Sequence, residues 1–320
     1  MSKNITLMSC PNGFGHFYRL INLATFLKKK KFNVNFICSE EQKQKVKNIK
    51  NIKFFALYKN KNLKKNPFNF LLNFYFKKLD EYKFIKDSEI IISDNIINKI
   101  FLNKKFYLIS NFFWSEFKKG ELKKRRLYFE LEKKFLKVNK YIFQNKYFNS
   151  DKKVKTFKLN FFGDCKKKIS TKENKIFYYV SKNDYIPFNH FHLFKNFKIY
   201  TNHAKLAQKY FNFNYFKIDN LNSKHKFFKY IFAKPGLNTI TDAIRYKIPL
   251  ITFKSDNDNE LAYNLKMIKK YNIGLILKKN KNQNLIDIND NSKYLTFLKN
   301  LKKFDFNGEK IIYKLLQKKY

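Results

Sequence analysis

The residues best suited to chemistry lie in two short stretches that, together with Gly274, hold most of the chain's few glycines. The chain has seven glycines; two lie in 9–19, a third lies in 234–242, and Gly274 closes this second set. Each stretch lies between an apolar run and a helical pattern, where a parallel α/β sheet places its phosphate-binding and substrate-binding loops. Because glycine is scarce here, we expect each of these glycines to hold a conformation or an approach that a side chain would block.

The first stretch contains a candidate general base. His16 follows Gly15 at the end of the first predicted strand, and imidazole titrates near neutrality, so it suits removal of a proton from a hydroxyl group or from water. Asp94 ends another predicted strand and is a candidate to orient His16 and stabilise its cation. The simpler alternatives are a histidine that only caps its helix and an aspartate that is only solvated.

The second stretch contains a candidate anion site. Gly236 opens a predicted helix, and the first N–H groups and the positive dipole end of a helix suit a diphosphate. Asn238 and Thr239 add side-chain donors, and Lys234 adds a point charge. Asp242 lies one turn further on, where it can accept hydrogen bonds from ribose hydroxyls. The alternative is an ordinary connection between a strand and a helix.

Strand-length apolar runs and helical patterns must position these residues, and they alternate along both halves of the chain. The predicted strands are 5–10, 32–38, 52–57, 89–93, 106–110 and 141–144 in the first half, and 176–180, 197–201, 214–218, 230–233, 250–253 and 274–277 in the second. The predicted helices are 16–31, 68–84, 95–103, 116–135, 203–210, 239–246, 260–271 and 307–320, and 278–291 is predicted as a low-complexity loop. This alternation predicts an α/β fold with two doubly wound, Rossmann-like parallel sheets.

A loss of periodicity around 145–174 marks the expected boundary between two domains. The predicted organisation is an N-terminal domain over 1–150, a C-terminal domain over 151–305 and a final helix over 306–320. A chain of 320 residues is long enough for two domains of ordinary size.

The composition is strongly basic, with a formal net charge of +45. Only four of the 69 basic residues are arginine, and the abundant Lys, Asn, Ile, Phe and Tyr all have AT-rich codons, so we interpret the charge as compositional bias on solvated faces. A nucleic-acid-binding protein is the remote alternative, since such proteins favour arginine for base and phosphate contacts. Three cysteines without metal spacing and the lack of a long apolar segment favour a cytoplasmic protein.

The order of these features resembles the GT-B glycosyltransferase fold. Its nucleotide-sugar-dependent family carries a Gly-x-Asn-Ser-x-x-Glu block, then Gly-Val-Pro, then Asp-Gln nine residues past the proline. This chain has GLNTITD at 236–242, Ile-Pro-Leu at 248–250 and Asp258 nine residues past Pro249. Its GFGH at 13–16 with Arg19, Lys-Pro-Gly at 234–236, Ser-Asp at 93–94 and SNFFW at 110–114 are similar to a bacterial and archaeal subgroup of such proteins.

The resemblance implies two facing domains with a cleft and a role for each block. The acceptor binds the first domain and the nucleotide-sugar, which is expected to be UDP-linked, binds the second. The implied phosphate and nucleotide residues are Gly13, Gly15, Lys234, Gly236, Asn238, Thr239 and Asp242; the implied donor-sugar residues are Asp258, Asn259 and Glu260. Asp242 and Asn259 depart from the family's Glu and Gln, which leaves the ribose contact and the identity of the sugar open.

Two rare residues are candidates for the acceptor side. Arg19 is suited to a phosphate or carboxylate group, and Trp114, the single tryptophan, is suited to an acceptor platform. The alternatives are a surface helix position for Arg19 and core packing for Trp114. Without zinc spacing among the histidines or an Asp-x-Asp motif at a strand end, we expect no metal and no cofactor apart from the nucleotide-sugar.

The expected activity is transfer of a sugar from a nucleotide-sugar to a hydroxyl acceptor. A nucleotide-sugar hydrolase or epimerase of the same fold is the alternative, since a related group with a similar start uses water as the acceptor. The aromatic and basic residues of 68–86 and of the terminal helix suggest peripheral binding to the inner face of the cell membrane, and an acceptor that is lipid-linked or part of a surface glycan. Packing of these residues against the first sheet is the alternative.

Overall fold

A computed structural model describes most of the chain, which divides into two compact units. The described residues are 3–11, 14–46, 49, 52–58, 67–116, 121–139, 141–149, 154–165, 174–180, 188–209, 213–215, 227–253, 259–278 and 281–317, with the backbone alone described for 188–190, 259 and 281. The first unit comprises Met1–Gly163 and Phe306–Tyr320, and the second comprises Asp164–Asp305.

A parallel sheet of seven strands forms the middle of the first unit, in the order β3-β2-β1-β4-β5-β6-β7. The strands are β1 (Asn4–Ser9), β2 (Asn33–Ser39), β3 (Lys53–Tyr58), β4 (Ile90–Asp94), β5 (Phe106–Ile109), β6 (Ile142–Asn145) and β7 (Phe157–Leu159). The helices between them are α1 (Gly15–Lys29), α2 (Glu40–Gln44), α3 (Pro67–Phe76), α4 (Lys83–Lys86) and α5 (Leu122–Val138).

Both faces of this sheet are covered, which explains why its central strands are continuous apolar runs rather than alternating ones. Ile5 and Leu7 of β1 pack with the buried face of α1, whereas Met8 belongs to the core on the opposite face with Phe68 and Leu71 of α3. All five of these side chains are essentially buried.

The second unit contains a second parallel sheet, in the order β10-β9-β8-β11-β12-β13. Its strands are β8 (Lys175–Tyr178), β9 (Lys198–Thr201), β10 (Phe213–Tyr215), β11 (Tyr230–Phe232), β12 (Leu250–Phe253) and β13 (Gly274–Leu277). Its helices are α6 (Ala204–Lys209), α7 (Leu237–Tyr246), α8 (Asn259–Tyr271), α9 (Lys281–Asn289) and α10 (Asn291–Leu301).

The terminal helix α11 (Gly308–Gln317) returns to the first unit and packs on α1. Ile312 and Leu316 are buried in the same core as α1, and the rings of Phe26 and Tyr313 meet edge to face with centroids 5.8 Å apart. The first unit also extends to Gly163, beyond the expected boundary at 150, because β7 pairs with β6.

Three segments differ from the sequence-based prediction. The single helix expected over 68–84 is broken into α3, a 3₁₀ turn at Leu79–Glu81 and α4. Asn98 explains where α3 ends, since its amide donates to the carbonyl oxygens of Phe74 and Lys77 at 2.5 and 3.0 Å. The helix expected over 95–103 is a 3₁₀ turn at Lys99–Asn103, and the loop expected over 278–291 contains the helix α9.

Gly274 serves the packing of the second sheet rather than a site. It begins β13, at the edge of the sheet opposite to the strand end that precedes Gly236, and pairs with Leu250 of β12. A Cβ atom added at Gly274 would overlap the carbonyl oxygen of Leu250 and lie 2.9 Å from its nitrogen, whereas one added at Gly236 would meet nothing closer than Thr239 Oγ1 at 4.0 Å.

We therefore predict that Gly274→Ala destabilises the second unit by about 1–3 kcal/mol, because β12 and β13 must separate to admit the methyl group. Thermal unfolding followed by circular dichroism measures the loss. Gly236→Ala is the matched control and should unfold at the wild-type temperature. Equal stability of the two variants would contradict this account of Gly274.

Candidate active site

Neighbouring parallel strands bring the start of α1 to Asp94. The residues at the carboxyl ends of β1 and β4 are paired in register, Ser9 with Asp94, so the chain that leaves β1 passes beside Asp94. The helix α1 then begins at Gly15, and its first turn carries His16. Gly13 lies outside the described residues.

His16 and Asp94 form the dyad that the sequence suggested. Nδ1 of His16 lies 2.7 Å from Oδ1 of Asp94, whose carboxyl group is fully buried, while a fifth of the His16 side chain remains exposed. A carboxylate can only accept, so the short contact places a proton on Nδ1, and in the neutral form of the ring Nε2 then carries the lone pair. The geometry gives His16 the tautomer that a general base needs.

Arg19 holds the same carboxylate from the next turn of α1. Its Nε donates to Oδ2 of Asp94 at 2.7 Å and its Nη2 donates to Oδ1 at 2.6 Å. Nη2 also lies 3.2 Å from Nδ1 of His16. Nε and Nη2 of its guanidinium group are thus engaged with Asp94, and the acceptor contact that we expected from the sequence stays a prediction.

Asp94 is held in its charged form by these two partners. Burial by itself would raise the pKa of Asp94, but the charges of Arg19 and His16 and their hydrogen bonds outweigh burial and hold that pKa below its usual range. The carboxylate is therefore ionised at neutral pH, when it can stabilise a positive charge on His16.

The segment that follows β5 hydrogen-bonds to Asn95, the residue after Asp94, and Trp114 is buried within this segment. Trp114 is 2% exposed, and its indole N–H donates to the carbonyl oxygen of Asn95 at 2.7 Å. Asn95 has a left-handed backbone with φ of 63°, and its side-chain oxygen accepts from Ser110 Oγ at 2.7 Å. Trp114 therefore packs in the core, which was the alternative to an acceptor platform, because a buried indole ring offers no exposed face.

Glu132 is a structural residue that the sequence analysis missed. Its buried carboxylate accepts the backbone N–H groups of Trp114 and Ser115 at 3.0 and 2.9 Å. Glu132 lies four residues after Tyr128, which is also buried on α5, so the two side chains share one face of the helix. This spacing was the sequence feature that could have predicted the burial of Glu132. The charged composition of α5 concealed it.

The second unit contains the candidate anion site at the start of α7. Gly236 precedes the first helical residue with an extended backbone, and Asn264 of α8 fixes the loop by donating to the carbonyl oxygen of Pro235 at 2.9 Å. Asn238 is exposed in the first turn, while Lys234 and Thr239 are partly exposed. The free N–H groups of a helix start and a lysine side chain form a surface suited to an anion.

The remaining candidates of the second unit divide into described and undescribed residues. Asp242 lies one turn into α7 and pairs with Arg245, whose Nη1 is 3.1 Å from Oδ1. Burial raises the pKa of Asp242, and the charge of Arg245 opposes that shift. Glu260 lies in the first turn of α8. Asp258 and the side chain of Asn259 lie outside the described residues.

Two further observations concern metals and membranes. Within the described ranges, no three His, Cys, Asp or Glu side chains come together as a metal would require. Among the helices of the same ranges, none combines the length and the apolar character needed to cross a bilayer.

Comparison with known proteins identifies the fold. Neither a protein-family model nor a curated protein matches the sequence. Among solved structures, the spinosyn forosaminyltransferase SpnP is 10% identical with a TM-score of 0.70, and MurG of Acinetobacter baumannii is 12% identical with a TM-score of 0.69; each match covers 99% of both chains. The glycosyltransferase VinC, solved in complex with dTDP, is 12% identical with a TM-score of 0.62 over 98% of both chains. The chain has the GT-B fold of glycosyltransferases, with two Rossmann-like parallel sheets.

Proposed function

We propose that the protein is a glycosyltransferase that moves a sugar from a nucleotide-sugar to a hydroxyl acceptor. The observation that carries this proposal is the His16–Asp94 dyad, with its 2.7 Å hydrogen bond, at the carboxyl edge of the first sheet. The anion surface at the start of α7 and the glycosyltransferase neighbours support it.

The dyad suits activation of the acceptor. Nε2 of His16 takes the proton of the acceptor hydroxyl, and the ionised Asp94 stabilises the imidazolium that forms. The acceptor oxygen then bonds to the anomeric carbon of the sugar as the bond from that carbon to the diphosphate oxygen breaks. Lys234 and the first N–H groups of α7 stabilise the charge that develops on the leaving diphosphate.

The donor contacts are assigned to the second unit. Gly236, Asn238 and Thr239 bind the diphosphate, and Asp242 accepts from the ribose hydroxyls. Asp258, Asn259 and Glu260 bind the sugar. UDP is the proposed nucleotide, and the chemistry is proposed to need no metal, because the helix start and Lys234 supply the positive charge.

Water in place of a hydroxyl acceptor gives the alternative, a nucleotide-sugar hydrolase, since the same base can deprotonate water. Incubation with the donor alone separates the two activities, because only a hydrolase releases free sugar and UDP at a substantial rate. Calorimetry with UDP and UDP-sugars tests both at once. Failure to bind any nucleoside diphosphate at millimolar concentration would exclude this whole group of activities.

We predict opposite effects from changes in the two units. His16→Ala should lower turnover by roughly 10²–10⁴-fold with little change in nucleotide affinity, because it removes the base alone. Lys234→Ala should weaken UDP binding, because it removes a charge from the diphosphate. Steady-state release of UDP and calorimetry measure the two effects. The exposed His192 and Lys205 provide the control alanine variants, and equal loss of UDP binding in both test variants would refute the division of roles.

Gly236→Ala should separate binding from folding. The added methyl group meets open space in the protein, so the variant folds, but it occupies the approach of a diphosphate to the helix start. We expect UDP affinity to fall by about tenfold or more while the unfolding temperature stays unchanged. Unchanged UDP affinity would argue that the nucleotide binds elsewhere.

We further propose peripheral attachment to the cytoplasmic face of the membrane, which brings the enzyme to a lipid-linked or surface-glycan acceptor. The proposed surface is the outer face of α5, which exposes Leu122, Leu127 and Val138 among Lys123, Arg126, Lys133, Lys134 and Lys137. The apolar residues of α3 and α11 contribute less than their sequences suggest, since most of them pack in the core of the first unit.

Replacement of Lys133, Lys134 and Lys137 by glutamine should therefore weaken sedimentation with anionic vesicles by about tenfold or more at low salt, since each nearby lysine contributes about 1 kcal/mol. The control removes three exposed lysines of the second unit, Lys195, Lys302 and Lys303, and should sediment like the wild type. Wild-type protein that stays in the supernatant with anionic vesicles would favour a soluble acceptor.

A further inference from the structure

We propose that Arg19 is a positioning residue whose charge balances Asp94 before His16 takes up a proton, and that this balance keeps His16 neutral and ready to act as a base. The role of His16 as a base rests on the proposed glycosyltransferase function. The charge balance itself is argued from the geometry of three side chains, His16, Arg19 and Asp94.

Arg19 makes more hydrogen bonds to the carboxylate of Asp94 than His16 does. Arg19 reaches both oxygens, at 2.7 and 2.6 Å, whereas His16 reaches Oδ1 alone. Asp94 is fully buried and the Arg19 side chain is 15% exposed, so solvent screens this pair weakly. Such a fork of two N–H donors is the geometry in which a guanidinium group fixes a carboxylate in one orientation.

The Arg19–Asp94 pair sets the charge balance around His16. Among the described residues, the ionisable side chains that hydrogen-bond to Asp94 are Arg19, which is always charged, and His16, which is charged only when it is protonated. The strands on either side of β4 set Ser9 and Ile109 beside Asp94, and neither residue carries a charge. With Arg19 present and His16 neutral, the net charge of the three side chains is zero.

Without Arg19, the buried carboxylate of Asp94 needs another positive partner. A buried charge without a partner is strongly unfavourable, so Asp94 would be compensated by a proton on His16. The resting pair would then be an imidazolium and a carboxylate, and the lone pair on Nε2 would already be occupied. Arg19 thus serves the base through Asp94 and also through its own positive charge, because Nη2 lies 3.2 Å from Nδ1 of His16.

The test is a titration of His16 in the protein without substrate, followed by ¹⁵N chemical shifts of histidine-labelled protein and assigned with His16→Gln. In Arg19→Gln the midpoint should move to higher pH by about 1–3 units, since a neighbouring positive charge no longer opposes the imidazolium. Arg19→Lys keeps the charge and should move the midpoint less than half as far. An unchanged midpoint in Arg19→Gln would overturn the proposal.

A second pair of variants covers the case in which Arg19→Gln does not fold because Asp94 loses its partner. Asp94→Asn and the double variant Arg19→Gln/Asp94→Asn contain no buried carboxylate, so they differ only in the charge of Arg19. The double variant should titrate at higher pH than Asp94→Asn, and equal midpoints would again overturn the proposal. These titrations need no enzymatic turnover, so they test the role of Arg19 even if the glycosyltransferase assay shows no activity.

Discussion

A carboxylate that is fully buried at the end of β4 is the constraint around which the first unit is organised. Asp94 cannot remain charged there without partners, and its partners come from one helix, α1. This demand fixes the rotation of α1, since His16 and Arg19 must face the sheet together, and it fixes where the chain enters the helix after β1. The apolar face of α1, with Leu20, Leu23 and Leu27 in the core, satisfies the same rotation.

The two units solve different electrostatic problems at equivalent places in their sheets. In the first unit a negative charge is buried and then compensated, which yields an oriented imidazole at the carboxyl edge. In the second unit the strand end leads through Pro235 and Gly236 into a helix start that offers positive potential. Asn264 holds the carbonyl oxygen of Pro235, so the loop is supported from beneath by an amide rather than by a charge.

Sequence reasoning succeeded where the physical signal was local and failed where it depended on tertiary partners. Buried parallel strands are continuous apolar runs, so both sheets were predicted, and a polar residue at such a strand end pointed to the pairing of His16 with Asp94. Arg19 and His16 are three residues apart and share one face of α1, but the partner of the Arg19 guanidinium group is Asp94 of β4, which local spacing does not reveal. The helix α9 was missed because Lys, Asn, Gln and Asp together occupy six of its nine positions. The end of α3 depends on Asn98, which is distant in sequence.

The rarity of arginine gives the two candidate sites a common feature. Only four of the 69 basic residues are arginine, and two of them, Arg19 and Arg245, pair with Asp94 and Asp242. A lysine ammonium is strongly hydrated and bonds as a single point, so it suits the exposed faces where most of the basic residues that the structure describes lie. A partly buried carboxylate that must keep one orientation needs a planar, weakly hydrated fork. Two of the four arginines therefore mark positions at which the geometry of a charge matters in addition to its sign.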